Sequence, residues 1–484
     1  MAAGSAPRVK SRACSKAICM FIHSSDQHVE PKLSRRSLLF GALGLSPIGS
    51  FGLQLPVFPT LSGDAAALAR VQESAAMVAR DRSMPIASGF DAAMKADSKI
   101  AWQYFQIWKA LSKPIIPGTA YLSAGKLAGY PLLTMWDVGS LILAFSSAFL
   151  LGHISQIDLN LKAQQVIKIL QSHTVAFGGT RLPSVEISAS SVPSTRSGFD
   201  AADVGRLLIA LKILDNLTLG LLPIPALVAG WNFAVVIAGG SVCGIKEGQL
   251  QPCSDNSYSH YVKRGYQLWG WNLSPVIGFA DGTLDDDHKA TIFKEAIRRG
   301  RIATEPSATE AIELGESDAL GITIDLLLAA QMKRYQREGK LTCVSEGNLD
   351  QTPWFTYQAC QFDLVKDDKW VIDTTDLDNL QIAKKKGDAI RTISSKGCFL
   401  WHAIRPGDYS TRLIAFARQQ ARTRSLGFAS NIYEAQLKPT KCSDINANAV
   451  ILEALAFIKH GRMPLLQIAE AYRATAEASA EGRL

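Results

Sequence analysis

Gly198-Phe199-Asp200-Ala201-Ala202-Asp203-Val204-Gly205-Arg206-Leu207-Leu208 runs from a glycine turn through an aspartate into an apolar stretch that continues to Leu217. Asp200 is placed to cap a helix, and Asp203 and Arg206 then lie one turn apart, where they can pair. A similar opening occurs upstream at Thr134-Met135-Trp136-Asp137-Val138-Gly139-Ser140. Helical periodicity recurs on both sides, and the spacing predicts helices over roughly 90–112, 136–153, 157–172, 200–216, 219–238, 256–273, 284–298, 317–338, 353–362, 394–403, 409–423 and 444–460. A further helix from Ala65 to Arg80 precedes them. Strand signals are few and short, at Thr342 to Val344 and Trp370 to Asp373.

About a dozen amphipathic helices joined by long polar and aromatic loops predict an all-α protein, a toroid of paired helices in two concentric layers with a few short strands. The apolar run Leu217 to Ile237 is broken by Pro223, Pro225 and Asn232, which reads as a helix buried in the inner layer rather than as a membrane span. The expected organisation is a signal region over 1–67, a linker or extra helix over 68–85, one toroid domain over 86–475 and a tail over 476–484.

The 484 residues are 47% hydrophobic and 19% charged, a globular balance with enough apolar side chain for a large core. The net charge of +8 does not mark a nucleic-acid partner. Half of it lies in residues 1–65, where Arg8, Lys10, Arg12, Lys16, Lys32, Arg35 and Arg36 face only Asp26, Glu30 and Asp64. The basic stretches at Lys384-Lys385-Lys386 and Arg418 to Arg424 lack interleaved aromatics. No GxxxxGK[ST], GxSxG or CxxC pattern occurs, so no nucleotide, serine-nucleophile or zinc site is expected, and no cofactor.

Ser34-Arg35-Arg36-Ser37-Leu38-Leu39-Phe40 resembles the twin-arginine export motif, with Arg35 and Arg36 as the signal residues. The stretch behind it, Leu38 to Phe58, is only moderately apolar and is interrupted by glycines and prolines, a poor permanent span. Small residues over Ala65 to Ala69 offer cleavage sites. The expectation is a periplasmic or secreted protein that meets the twin-arginine machinery and touches a membrane only in transit or through an uncleaved leader. Six cysteines follow the leader, and Cys243 and Cys253 bracket a polar loop that a disulfide can close. The export route, as its resemblance implies, carries folded proteins, which makes such a bridge an optional staple.

Carbohydrate chemistry needs aromatic faces to stack on sugar rings and carboxyl groups to protonate or activate oxygen. Four segments combine the two. Trp136 with Asp137, and Asp203 with Arg206, sit at helix openings. Ser345 to Tyr357 (SEGNLDQTPWFTY) gathers Glu346, Asp350, Trp354 and Tyr357, and Pro353 there reads as the start of a helix that Asp350 can cap. Tyr433 and Glu434 close the set. Glu346 is the candidate general acid, with Asp137, Asp203, Asp350 and Glu434 as candidate bases. Trp136, Trp354, Tyr357, Arg206 and Tyr433 are the substrate-binding candidates.

Taken in order, TMWDVGS, Leu182-Pro183, GFDAADVGRLLIAL, Tyr258 to Trp271 (YSHYVKRGYQLWGW), SEGNLDQTPWFTY, Ser394-Ser395-Lys396-Gly397, NIYE and NANAVILEAL resemble the bacterial DUF3131 family over roughly Trp102 to Leu466. The resemblance implies a glucoamylase-type (α/α)6 toroid with a cavity at one end, lined by the loops between inner and outer helices. Two positions depart from the family pattern: Ser259 stands where an acid is expected, and Ala447 replaces the threonine of Asn-Thr-Asn. The functional expectation is a glycoside hydrolase acting on an exopolysaccharide or cell-envelope glucan. The alternatives are a non-catalytic glycan-binding or assembly protein and a polysaccharide lyase using His260, Tyr261 and Arg264.

Overall fold

A computed structural model describes residues 63–83, 89–106, 116–123, 126–188, 196–253, 255–279, 284–374 and 377–481. Arg35 and Arg36 lie outside the described residues, with the whole stretch 1–62. Fifteen α-helices occur among the described residues: α1 (Gly63–Arg82), α2 (Ala92–Gln106), α3 (Met135–Leu151), α4 (Gln156–Ser172), α5 (Ala201–Leu217), α6 (Ile224–Ala229), α7 (Ser259–Gln267), α8 (Asp286–Arg299), α9 (Thr304–Leu314), α10 (Asp318–Glu338), α11 (Leu377–Lys386), α12 (Ser395–Ile404), α13 (Asp408–Gln420), α14 (Ile445–Lys459) and α15 (Leu465–Ala480).

Six of them close a ring in which α3 packs on α5, α5 on α7, α7 on α9, α9 on α12, α12 on α14, and α14 back on α3. Five of the six inner helices are almost wholly buried: every described residue of α9 and α12, and nearly every one of α3, α5 and α14, is shielded from solvent, while the shorter α7 buries Tyr261, Val262, Gly265 and Tyr266. Helices α2, α4, α6, α8, α10 and α13 alternate with it along the chain and form the outer layer. Their alternating buried and exposed faces supply the period that the inner helices lack. The protein is thus the expected all-α (α/α)6 toroid. Helix α15 packs on α5, α9 and α14, and α1 straps α8 and α10 from outside.

Glycines set how closely the inner helices approach. A Cβ on Gly265 of α7 would fall on the carbonyl oxygen of Gly205 in α5, and one on Gly205 would meet Val262 backbone atoms at 2.9 Å. Gly139 of α3 also lies close against α5, with Leu207 N 3.2 Å from its Cβ position.

Several predicted elements differ. The apolar run Leu217 to Ile237 is not one inner helix. Chain reversal at Gly220 (φ 68°) and Pro223 ends α5, and only the short α6, a 3-10 turn (Phe233–Val236) and a hairpin follow. Residues 353–362 form no helix. Phe355–Gln361 is the central strand of a three-stranded sheet, between Glu346–Asn348 and Lys369–Asp373. Thr342 to Val344 is extended but outside any strand, whereas Trp370 to Asp373 lies in one. Helices α9, α11 and α15 have no counterpart in the periodicity. Helix α1 begins at Gly63 and buries Ala67, so the boundary expected after residue 67 falls inside it.

Cys243 and Cys253 are disulfide-bonded, with Cα atoms 4.4 Å apart, while Cys343, Cys360, Cys398 and Cys442 are buried thiols. Among the described residues no helix is long and apolar enough to cross a membrane, and no group of His, Cys, Asp and Glu has the arrangement of a metal site.

Candidate active site

Four inner helices start on a side chain that stands at, or directly after, the end of a short strand. Thr134 caps α3 through the Asp137 N–H, Asp200 caps α5 through Ala202 and Asp203 N–H, Ser394 caps α12, and Asp444 caps α14. Three of these strands each pair with a further strand: Cys442–Asp444 with Thr119–Ser123, Leu132–Thr134 with Glu186–Ser188, and Thr392–Ser394 with Asn431–Tyr433. The openings of α3, α9, α12 and α14 are joined by the Ser140–Asn446, Asn446–Glu305 and Lys396–Glu305 contacts, which gathers these N-termini at one end of the toroid, where their dipoles favour negative charge.

Beneath that end the axis is filled by a polar network drawn from all six inner helices. Arg206 of α5 is fully buried. It donates to Glu313 of α9 (2.6 Å), Glu453 of α14 (3.0 Å), Tyr261 Oη of α7 (2.9 Å) and Ser140 Oγ of α3 (3.2 Å). Tyr261 donates in turn to Glu313 (2.6 Å), and Ser140 to Asn446 Oδ1 (2.9 Å). Asn446 donates to Glu305 of α9 (3.2 Å), and Lys396 of α12 forms an ion pair with the same carboxylate. Burial pushes the Glu453 carboxyl well above the usual range, aided by the Glu313 charge and opposed by Arg206. Glu305 goes the other way. Burial would raise it, but Lys396 and Arg206 hold it below the ordinary carboxylate value. Two fixed cations thus face three carboxyl groups on the axis, and Glu453 is the one whose protonated form burial favours.

The wall above this floor is the sheet that contains Glu346. In the antiparallel register Glu346 stands opposite Tyr357, and Tyr357 opposite Asp373, so the three share one face. Asp373 is paired with Arg301 (2.6 Å). Glu346 is buried, and its Oε2 accepts from Tyr258 Oη at 2.7 Å while Oε1 has no hydrogen-bond partner. The Tyr258 ring meets the edge of Trp136 at 5.8 Å, and Trp136 covers the Arg206 guanidinium at 4.9 Å.

The other candidates are distributed as follows. Asp137 closes the capping box of α3, accepting from Thr134 N (3.1 Å). Asp203 is buried in the first turn of α5, and Arg206 is directed past it to Glu313 and Glu453. Asp350 caps no helix. It accepts from Tyr433 Oη (2.6 Å) and Lys441 N (3.0 Å) and so ties two loops together. Glu434 is held by both Arg334 terminal nitrogens (2.7 and 2.6 Å). Trp136, expected as a sugar platform, is fully enclosed by Arg206, Tyr258 and Tyr261, and Arg206 is an axial core residue. Trp354 is 47% exposed with Tyr121 edge-on at 6.2 Å, and Tyr357 is half-buried beside Phe355. Of the lyase candidates, Tyr261 is sealed in the axis, and His260 and Arg264 both turn to Glu310.

Glu305, Glu313, Lys396, Tyr258 and Glu453 were not singled out from sequence. The signal for the first two was the run Thr304-Glu305-Pro306-Ser307-Ala308-Thr309-Glu310-Ala311-Ile312-Glu313, three acids in a stretch without an exposed face.

The fold is a glucoamylase-like (α/α)6 toroid. The chain belongs to the DUF3131 family, proteins of unknown function, whose model matches residues 96–461. None of the curated proteins matches the sequence. Among solved structures it is similar to a glucoamylase-like protein from Bacteroides caccae, at 10% identity and TM-score 0.52, over 79% of this chain and 98% of that one. A second glucoamylase-like protein, from Bacteroides fragilis, gives 10% identity and TM-score 0.51 over 81% and 98%. An endo-β-1,2-glucanase from Talaromyces funiculosus with sophorose gives 10% identity and TM-score 0.50 over 81% and 90%.

Proposed function

We propose that this protein is an exported glycoside hydrolase that cleaves a neutral exopolysaccharide or cell-envelope glucan, with Glu346 as its general acid. The observation that carries the reading is the state of Glu346. It is a buried carboxyl at the helix-N-terminal end of the toroid, with one oxygen fixed by Tyr258 and the other without a protein partner. A carboxyl oriented in this way can present a proton to a glycosidic oxygen. Trp354, exposed on the same loop with Tyr121 beside it, supplies an aromatic face for a sugar ring.

Charge pairing favours a neutral substrate. Around this end Arg196 is paired with Glu186, Arg301 with Asp373, Lys396 with Glu305, and His260 and Arg264 with Glu310. A lyase that neutralises a uronate needs a cation to spare. The sophorose-bound neighbour makes a β-1,2-glucan a rational first member of a substrate panel. Export rests on Arg35 and Arg36, and replacing both by Lys should retain a fused reporter inside the cell.

Purified protein should release reducing ends from at least one neutral glucan, and Glu346→Gln should lower the rate by about 10²–10⁴-fold, the usual contribution of a positioned acid. An unchanged rate in Glu346→Gln would remove the acid assignment. Retention on insoluble glycan without turnover by the wild type would make the protein a binding module.

A further inference from the structure

We infer that Glu305 is the second working carboxylate of this site, opposite Glu346, with Lys396 and Asn446 as the residues that position it; the inference rests on the glycoside hydrolase reading above. Three observations lead to it. First, the two carboxyl-bearing segments are pinned together. Thr304 N and Oγ1 both donate to Val344 O, at 3.0 and 2.7 Å, and Glu305 follows Thr304 directly while Glu346 lies two residues beyond Val344. The segment before Thr304 is bonded to the same sheet, since Ile302 and Cys360 exchange backbone hydrogen bonds of 2.9 and 2.8 Å.

Second, Glu305 does not behave as a helix residue. Its backbone is extended (φ −89°, ψ 133°) inside the first turn of α9, and this directs its carboxylate to the openings of α12 and α14. Lys396 and Asn446 are each the second residue of their helices. Three helix N-termini and one ammonium therefore surround the group, an environment that keeps it ionised. Third, three of the other acids offered by the sequence have structural duties: Asp137 in a capping box, Asp350 between a tyrosine and a backbone N–H, and Glu434 in a two-point contact with Arg334.

The step balances as a hydrolysis. Glu346 gives its proton to the glycosidic oxygen as the bond from that oxygen to the anomeric carbon breaks. Glu305 takes a proton from the water whose oxygen bonds to that carbon. One water is consumed, and the two carboxyl groups return to their starting states by proton exchange with solvent.

The test compares Glu305→Gln, Glu305→Ala and the double variant Glu305→Gln/Lys396→Met, the last of which avoids leaving a lone buried ammonium. Reducing-end release should fall about 10³-fold in Glu305→Gln, while calorimetric affinity for the oligosaccharide product stays near that of the wild type. Sodium azide should accelerate Glu305→Ala and yield a glycosyl azide, which a purely structural role does not produce. The inference is overturned if the folded double variant keeps more than a tenth of wild-type activity, or if azide yields no adduct. If Glu346→Gln is dead and Glu305→Gln is active, the hydrolase reading stands and this one falls. If the wild type cleaves no glycan, both fall.

Discussion

At the scale of single residues, the axial network separates two glutamates that look alike in sequence. Burial and the neighbouring Glu313 favour the protonated form of Glu453, the form that Glu453→Gln imitates as a neutral donor. It should cost less than about 1 kcal/mol, within the range of a conserved hydrogen bond. Glu313→Gln instead removes the closest counter-charge of Arg206, at 2.6 Å and fully buried. Breaking a buried pair from one side typically costs about 3–5 kcal/mol. Urea midpoints of the two variants check this, and equal losses would show that Glu453 carries a charge in the fold. Sequence reading reached Arg206 but gave it a partner one turn away, Asp203. Spacing along one helix reports only intrahelical neighbours, whereas the two acidic partners come from helices more than a hundred residues distant. Glu346 was legible because no helix or strand signal gave it a structural duty. Glu305 was hidden because Pro306 and three polar side chains disguised a buried helix start.

At the scale of elements, outer helices were legible and inner ones only partly so. Helices α4, α8 and α13 carry the one-sided pattern that periodicity detects, while α9 is buried all round and has none. The strand Phe355–Gln361 was read as a helix because Pro353 and Asp350 imitate a helix start. Its partners in the sheet, Glu346–Asn348 and Lys369–Asp373, flank it directly along the chain, but only the second carries a strand signal of its own. The glycines of GFDAADVGRLL and YSHYVKRGYQLWGW acquire their meaning only when α5 and α7 are placed together. Gly265 has no room for a Cβ against the Gly205 carbonyl, so Gly265→Ala must push the two helices apart. The expected loss is about 3 kcal/mol, the upper end of overpacking costs, despite alanine's better helix propensity. Thermal unfolding of Gly265→Ala measures it, and a variant as stable as the wild type would mean that the α5–α7 contact is looser than described. A control at an open glycine such as Gly339, where φ is 69° and no atom lies within 4 Å of the Cβ position, separates packing from backbone strain.

At the scale of the whole molecule, stability should depend on pH through two buried groups that act in opposite directions. His402 lies in α12, and burial, together with the nearby Arg418 and Arg462, lowers its pKa to about 4; the more distant charge of Asp91 offsets this in part. Its ordinary value in an unfolded chain is about 6.5. Between those values the unfolded chain binds a proton that the fold refuses. This contribution is therefore complete above about pH 6.5 and is lost as the pH falls toward 4, at up to about 1.4 kcal/mol per pH unit. Glu453 has the opposite sign. Its folded pKa lies well above the unfolded value, so its contribution is present at low pH and is lost as the pH rises through the folded pKa. Two overlapping dependences of opposite sign follow, each traceable to one side chain on the inner ring. The change in urea midpoint from pH 4.5 to pH 6.5 should be more negative in His402→Leu, which packs the same site without titrating, than in the wild type. Glu453→Gln should instead raise the midpoint at pH 6.5 relative to that at pH 4.5, because the opposing loss begins at the unfolded carboxylate value and runs upward through this window. If His402→Leu keeps the full wild-type difference between pH 4.5 and 6.5, the loss toward acid pH belongs to other groups, with the Lys396–Glu305 pair as the next to examine. The distinction matters for function, because loss of His402 should alter stability alone, whereas protonation of Glu305 would silence the site while the toroid remained folded.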